Sequence, residues 1–199
     1  MLPPTPLRDW QARDMSRAGR SSLSARFRGD RRGSTALEFA MLAVPFALLV
    51  FAILESCISF AGQEVMANIT DDVARQLRTG QVRQANVTEA TLKAMICGRL
   101  EIMVAKDCPG LEVDLRAYPS FAAAAQAGFK IQDGEIELTG TDPAAFTVAP
   151  GLAESINMLR VFYKWPVMTD FMAKSMANLK DGNTLHFASM TWQNEPFDD

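Results

Sequence analysis

The chain has 199 residues, 48% of them hydrophobic, and a formal net charge of −3. That length suffices for one modest domain plus an anchor. Residues 1–33 hold eight Arg and three Asp, a local charge of +5, so residues 34–199 carry −8; the basic block has few aromatics and abuts an apolar run, which argues against a nucleic-acid partner.

Residues 1–33 read as a polar leader, with Pro3, Pro4 and Pro6 followed by Ser and Arg without apolar periodicity. Met15 is an alternative start. The leader ends in Arg31-Arg32-Gly33, and Ser34-Thr35-Ala36-Leu37-Glu38 leads into Phe39–Leu54, sixteen residues without a polar side chain. Sixteen helical residues cover about 24 Å, short of a hydrocarbon core of about 30 Å. Ser34–Leu37 and Ser56–Ala61 extend the run, with Glu38 and Glu55 as its interruptions. Thirty-three preceding residues are long for the charged region of a secretory signal, and Glu55 before Ser56-Cys57 makes a poor lipoprotein box. The charge asymmetry places the N-terminus in the cytoplasm and the C-terminal part across the membrane.

One long helix is expected over residues 34–80. Pro45 lies inside its apolar part as a kink that a membrane helix tolerates. Beyond the membrane Val65, Ile69, Val73 and Leu77 recur every four residues, with Gln63, Glu64, Asn68, Asp71, Asp72 and Arg75 on the other face. Arg75, Arg78 and Gly80 form the stop signal. Asn86 and Glu89 have capping-box spacing for a second helix with Leu92, Met95, Ile96, Leu100 and Met103 on its apolar face.

Leu111–Tyr118 alternates strictly, as a half-buried strand does. Residues 119–150 read mainly as a long connection with room for short elements, with weak alternation at Glu135–Leu138. Ile156–Trp165 is a second strand, Met168–Leu179 a short helix and Thr184–Gln193 the last strand. The fold class is α+β: a transmembrane and amphipathic helix, then a small periplasmic domain over 81–199 with a roughly three-stranded antiparallel sheet and packed helices.

The only histidine, His186, falls within a strand and reads as structural or surface. No metal-ligand spacing, phosphate loop or nucleophile elbow is present, so neither enzyme activity nor a cofactor or metal is expected. Asp71-Asp72 and Asp198-Asp199 read as solvated surface, and the sequons at Asn68 and Asn86 as chance. Cys97 and Cys108 fall on the translocated, oxidising side. A bridge there would tie the second helix to the first strand, stabilising by about 3 kcal/mol in the chain-entropy picture. The alternative is a buried Cys97 and a free turn thiol at Cys108.

Glu38 is the sharpest feature. A carboxylate at a membrane edge costs a few kcal/mol unless it is paired, protonated or snorkelled. Snorkelling is the plain account. A cut after Gly33 would instead create an ammonium on Ser34, with which Glu38 of a neighbouring subunit could pair.

These residues resemble type IV prepilins and pseudopilins: a basic leader, Gly at the cut, and Glu at the fifth position before an apolar helix. Gly33-Ser34-Thr35-Ala36-Leu37-Glu38-Phe39-Ala40 most resembles the TadE-like family. The Cys97…Cys108 turn with Val113–Tyr118, the Val161–Pro166 segment (Lys164 where Arg is usual) and Asn194-Glu195-Pro196-Phe197 are similar to that family's further motifs. The resemblance implies a minor pseudopilin of the Tad secretion system, anchored in the bacterial inner membrane. It implies a prepilin peptidase acting between Gly33 and Ser34. The other implied partners are a TadF-like pseudopilin, a TadG-like protein, the Flp pilin, the inner-membrane platform and membrane lipid. Flp pilus assembly, adhesion and biofilm formation would follow. The competing reading is an uncut, signal-anchored periplasmic binding or sensor domain.

Overall fold

The computed structural model describes residues 34–196. The leader, including Gly33, and Phe197 lie outside the described residues. The chain divides at Leu48–Leu49 into two units.

Helix α1 spans Ser34–Arg78, with Pro45 inside it. Its part up to Leu48 exposes its apolar side chains, among them Phe39, Leu42 and Phe46. In the second unit the same helix changes character. Glu55, Ser59, Gly62, Met66, Ile69, Val73 and Leu77 are buried along one stripe, spaced three or four residues apart as one helical face requires. Full burial of a side chain such as Met66 or Val73 contributes roughly 1.5–3 kcal/mol. The helix ends where expected: Gly80 takes a positive φ of 68° and its N–H donates to Leu77 O at 3.2 Å, a position that favours glycine.

Helix α2 spans Glu89–Leu100. Its cap is Thr88 rather than Asn86. The Thr88 hydroxyl accepts from Thr91 N, and the Thr91 hydroxyl accepts from Thr88 N at 2.8 Å, so a Thr–Thr pair does the work of the expected Asn–Glu box. Leu92, Ile96 and Leu100 are buried, while Met95 and Met103 pack at the margin.

The domain is built on strands β1 (Leu111–Tyr118) and β5 (Ile156–Pro166), with β6 (Asn183–Gln193) beside β5. These three are antiparallel. A two-residue strand, β4 (Val148–Ala149), pairs parallel to β1, making four strands in the order β4-β1-β5-β6. A separate hairpin joins β2 (Gly128–Gln132) and β3 (Glu135–Thr139). The expected long connection over 119–150 therefore holds two paired strands, β4 and the four-residue helix α3 (Phe121–Ala124). The hairpin turns on Asp133 and Gly134, both at positive φ, as a two-residue hairpin loop requires. Helix α4 (Asp170–Met176) is shorter than expected and precedes β6.

Each face of the sheet has its own cover. On one, Leu111, Val113 and Leu115 of β1 and Leu159, Val161, Tyr163 and Trp165 of β5 join the stripes of α1 and α2 in one core. On the other, Phe129 of the hairpin packs edge-on to Phe162 at 5.2 Å and lies 4.5 Å from Phe187. Strand β1 is thus buried on both faces at its centre, contrary to the half-buried expectation: Asp114 is wholly inaccessible. Its carboxylate accepts from Arg160 Nη2 at 2.7 Å, Arg116 Nε at 2.9 Å and Thr147 N at 3.1 Å. Mutual pairing is what allows charge at the inward position of a strand.

Candidate functional site

The candidate site is the apolar helix and its junction with the sheet. Ser34 begins the helix, and its hydroxyl donates to Glu38 Oε1 at 3.0 Å. Glu38 is exposed one turn into the helix. The structure brings Cys97 and Cys108 together as a disulfide with Cα atoms 5.7 Å apart, tying the end of α2 to the start of β1. Cys57 is a free, exposed thiol on α1.

Glu55 is 4% exposed. Its Oε1 accepts from Met168 N at 2.5 Å and Thr169 N at 3.3 Å, and its Oε2 accepts from the Thr169 hydroxyl at 2.6 Å. The carboxylate that interrupts the apolar run thus fastens the segment after β5 to α1, with three donors satisfying its charge. Thr169 also caps α4, its hydroxyl accepting from Met172 N at 3.3 Å.

One turn further, Ser59 Oγ lies 3.0 Å from His186 Nε2, and the His186 ring stacks on Trp165 at 4.8 Å. Trp165 lies over Gly62: a Cβ there would come within 2.4 Å of the indole Cζ3, so only glycine permits this approach without a shift. Gln63, expected on the polar face, is half-buried and pairs with β6. Its Nε2 donates to Phe187 O at 2.7 Å, and Phe187 N donates to its Oε1 at 3.2 Å. The amide continues the ladder at the sheet edge.

At the far end of α1, Glu195 N donates to Arg78 O at 2.9 Å, satisfying a last-turn carbonyl. The Asn194 amide donates to Leu152 O at 2.8 Å and accepts from Trp192 Nε1 at 2.7 Å. The Asn194–Pro196 motif is therefore a latch on the helix end. Asp72, expected as solvated surface, joins the two helices: it accepts from Arg75 Nη2 at 2.7 Å and from Arg99. Those guanidiniums, Arg75 first, lower its carboxyl to a pKa of about 2.

Sequence reasoning missed Glu55, Ser59, Gly62 and Gln63 as junction residues. One signal was available. Glu55, Ser59, Gly62 and Met66 continue the Ile69–Leu77 stripe backwards at helical spacing, once polar and small residues are allowed on it.

Burial lowers the His186 pKa to about 4, below the roughly 6.5 of an exposed imidazole. Between those values the unfolded chain binds more protons, so stability is complete above about pH 6.5 and falls as pH drops toward 4. Denaturation midpoints measured from pH 7 to 4 should show this loss in the native protein and less of it in His186→Asn. Parallel curves would contradict the assignment.

Among the described residues, α1 is the one helix long and apolar enough to cross a membrane, which makes it the candidate membrane anchor. No group of three His, Cys, Asp or Glu among them could hold a metal ion. No curated protein and no solved structure matches the chain. The model of the TadE-like protein family matches residues 33–75, from the glycine of the junction into the buried stripe, so this segment is similar to TadE-like proteins.

Proposed function

We propose that this chain is a minor pseudopilin of the Tad system, a structural subunit rather than an enzyme. The observation that carries the reading is the junction Gly33-Ser34…Glu38 at the head of an exposed apolar helix, inside the TadE-like match. A prepilin peptidase removes residues 1–33 at the cytoplasmic face of the inner membrane. The mature helix anchors the protein, with its C-terminal domain in the periplasm, and then packs among other apolar helices as the Flp pilus is assembled. The exposed apolar residues of α1 suit both settings, and the disulfide suits an oxidising compartment. Glu38 sets register against the new Ser34 ammonium of a neighbour. A TadF-like pseudopilin, a TadG-like protein, the Flp pilin and the platform are the partners, with adhesion and biofilm formation downstream.

Replacing Gly33 by tryptophan should block processing and abolish piliation. Glu38→Ala should be processed normally yet assemble poorly. Normal migration together with intact pili in Gly33→Trp would refute the reading.

A further inference from the structure

We propose that Pro166–Phe171, between β5 and α4, is a second membrane contact, seated at the lipid headgroup boundary beside α1 with Met168 and Phe171 facing lipid. The inference rests on α1 as the membrane anchor.

Met168 is 66% exposed and Phe171 62% exposed. Single exposed apolar residues are ordinary, and Ile102, Phe121 and Leu152 are such cases. Position sets Met168 and Phe171 apart. The backbone N–H groups of Met168 and Thr169 both donate to Glu55, which holds the segment against α1 at that level. On either side of Glu55 the helix exposes Phe51, Leu54, Ile58 and Phe60. The apolar surface of α1 therefore continues past Glu55, and a lipid layer that covers Phe60 reaches Met168 and Phe171 as well.

The treatment of Glu55 agrees. A carboxylate at this depth needs partners other than water, and it has two backbone N–H donors and a hydroxyl. The exposed Asp170 and Lys174 of α4 set the depth at the headgroups rather than in the acyl interior, since such side chains keep their charge in the polar layer. Met and Phe beside charged residues are the composition of an interfacial contact. The bond set that joins the domain to the helix would thereby also fix its height on the membrane.

The test is spin-label depth measurement on the full chain in vesicles of phosphatidylethanolamine and phosphatidylglycerol. Cys57→Ser removes the free thiol, and labels are placed singly at Met168→Cys, Phe171→Cys, Phe46→Cys in α1 and Phe121→Cys on α3. The expected result is an oxygen-to-nickel accessibility ratio at 168 and 171 several-fold above that at 121 and below that at 46. A deep label at 46 with water-like labels at 168 and 171 would overturn the interface contact and leave the anchor standing. A water-like label at 46 would remove the anchor and the contact together. Labels at 168 and 171 shielded from both reagents would mean a protein covers the segment, and would also overturn the proposal.

Discussion

Trp165→Ala is expected to destabilise the domain by about 3–5 kcal/mol, the range for emptying a large aromatic site. Trp165 is almost fully buried and touches three elements of the junction. It lies over Gly62 of α1, stacks on His186 of β6, and meets Tyr163 of its own strand edge-on at 6.3 Å. Its removal takes away the surface on which the helix rests and the ring that shields His186. Chemical denaturation in detergent should show the loss. The imidazole should also titrate closer to its ordinary range, a shift that NMR reads directly.

The Gly62 contact gives the same prediction a second arm. Gly62→Ala should cost about 1–3 kcal/mol as overpacking. In the Trp165→Ala background it should cost far less, because the clash has gone. Additive effects of the two substitutions would mean that the helix does not rest on the indole as described.

Asp114→Ala should cost a similar 3–5 kcal/mol for a different reason. Asp114, Arg116 and Arg160 are all buried, and the single carboxylate serves both guanidiniums. Arg160 Nη1 also donates to Gly128 O at 3.0 Å, and Arg116 donates to Ala145 O, so the cluster ties the hairpin and the segment before β4 to the sheet. Without the acid, two positive groups remain buried without their counter-charge, which is far worse than never having buried them. Replacing all three by apolar residues of similar size should therefore be milder than Asp114→Ala alone. If Asp114→Ala unfolds within 1 kcal/mol of the native protein, at roughly the worth of a surface ion pair, the cluster is not the buried network described.

The elements with strong periodicity were legible in the chain. The α1 stripe from Ile69 to Leu77, the α2 face and the alternation of β1 each follow from the spacing of apolar residues. What escaped was carried by polar residues whose partners lie far away in sequence. Asp114 and Arg116 alternate with Leu111, Val113 and Leu115 as solvent-facing residues would, and their burial depends on distant partners, Arg160, Thr147 and Ala145. Glu55 reads as a break in an apolar run until its donors, 113 and 114 residues away, are in place. The β2–β3 hairpin was the avoidable omission. Asp133-Gly134 between Ile131 and Ile136 is a strong local hairpin signal, obscured by the surrounding alanine-rich and glycine-containing sequence.

Three features outside the matched segment acquire physical roles in this frame. Trp165 and Pro166 end a strand on the helix glycine, Asn194 and Glu195 latch the helix C-terminus, and the disulfide joins α2 to β1. The first two secure a domain on one long helix and the third braces that domain internally, an arrangement that the pseudopilin role proposed above would use. The N-terminal residue of the mature protein tests that account most directly. Protein extracted from membranes of piliated cells and sequenced from its N-terminus should begin at Ser34. A mature protein that still begins at Met1 or Met15 would contradict it.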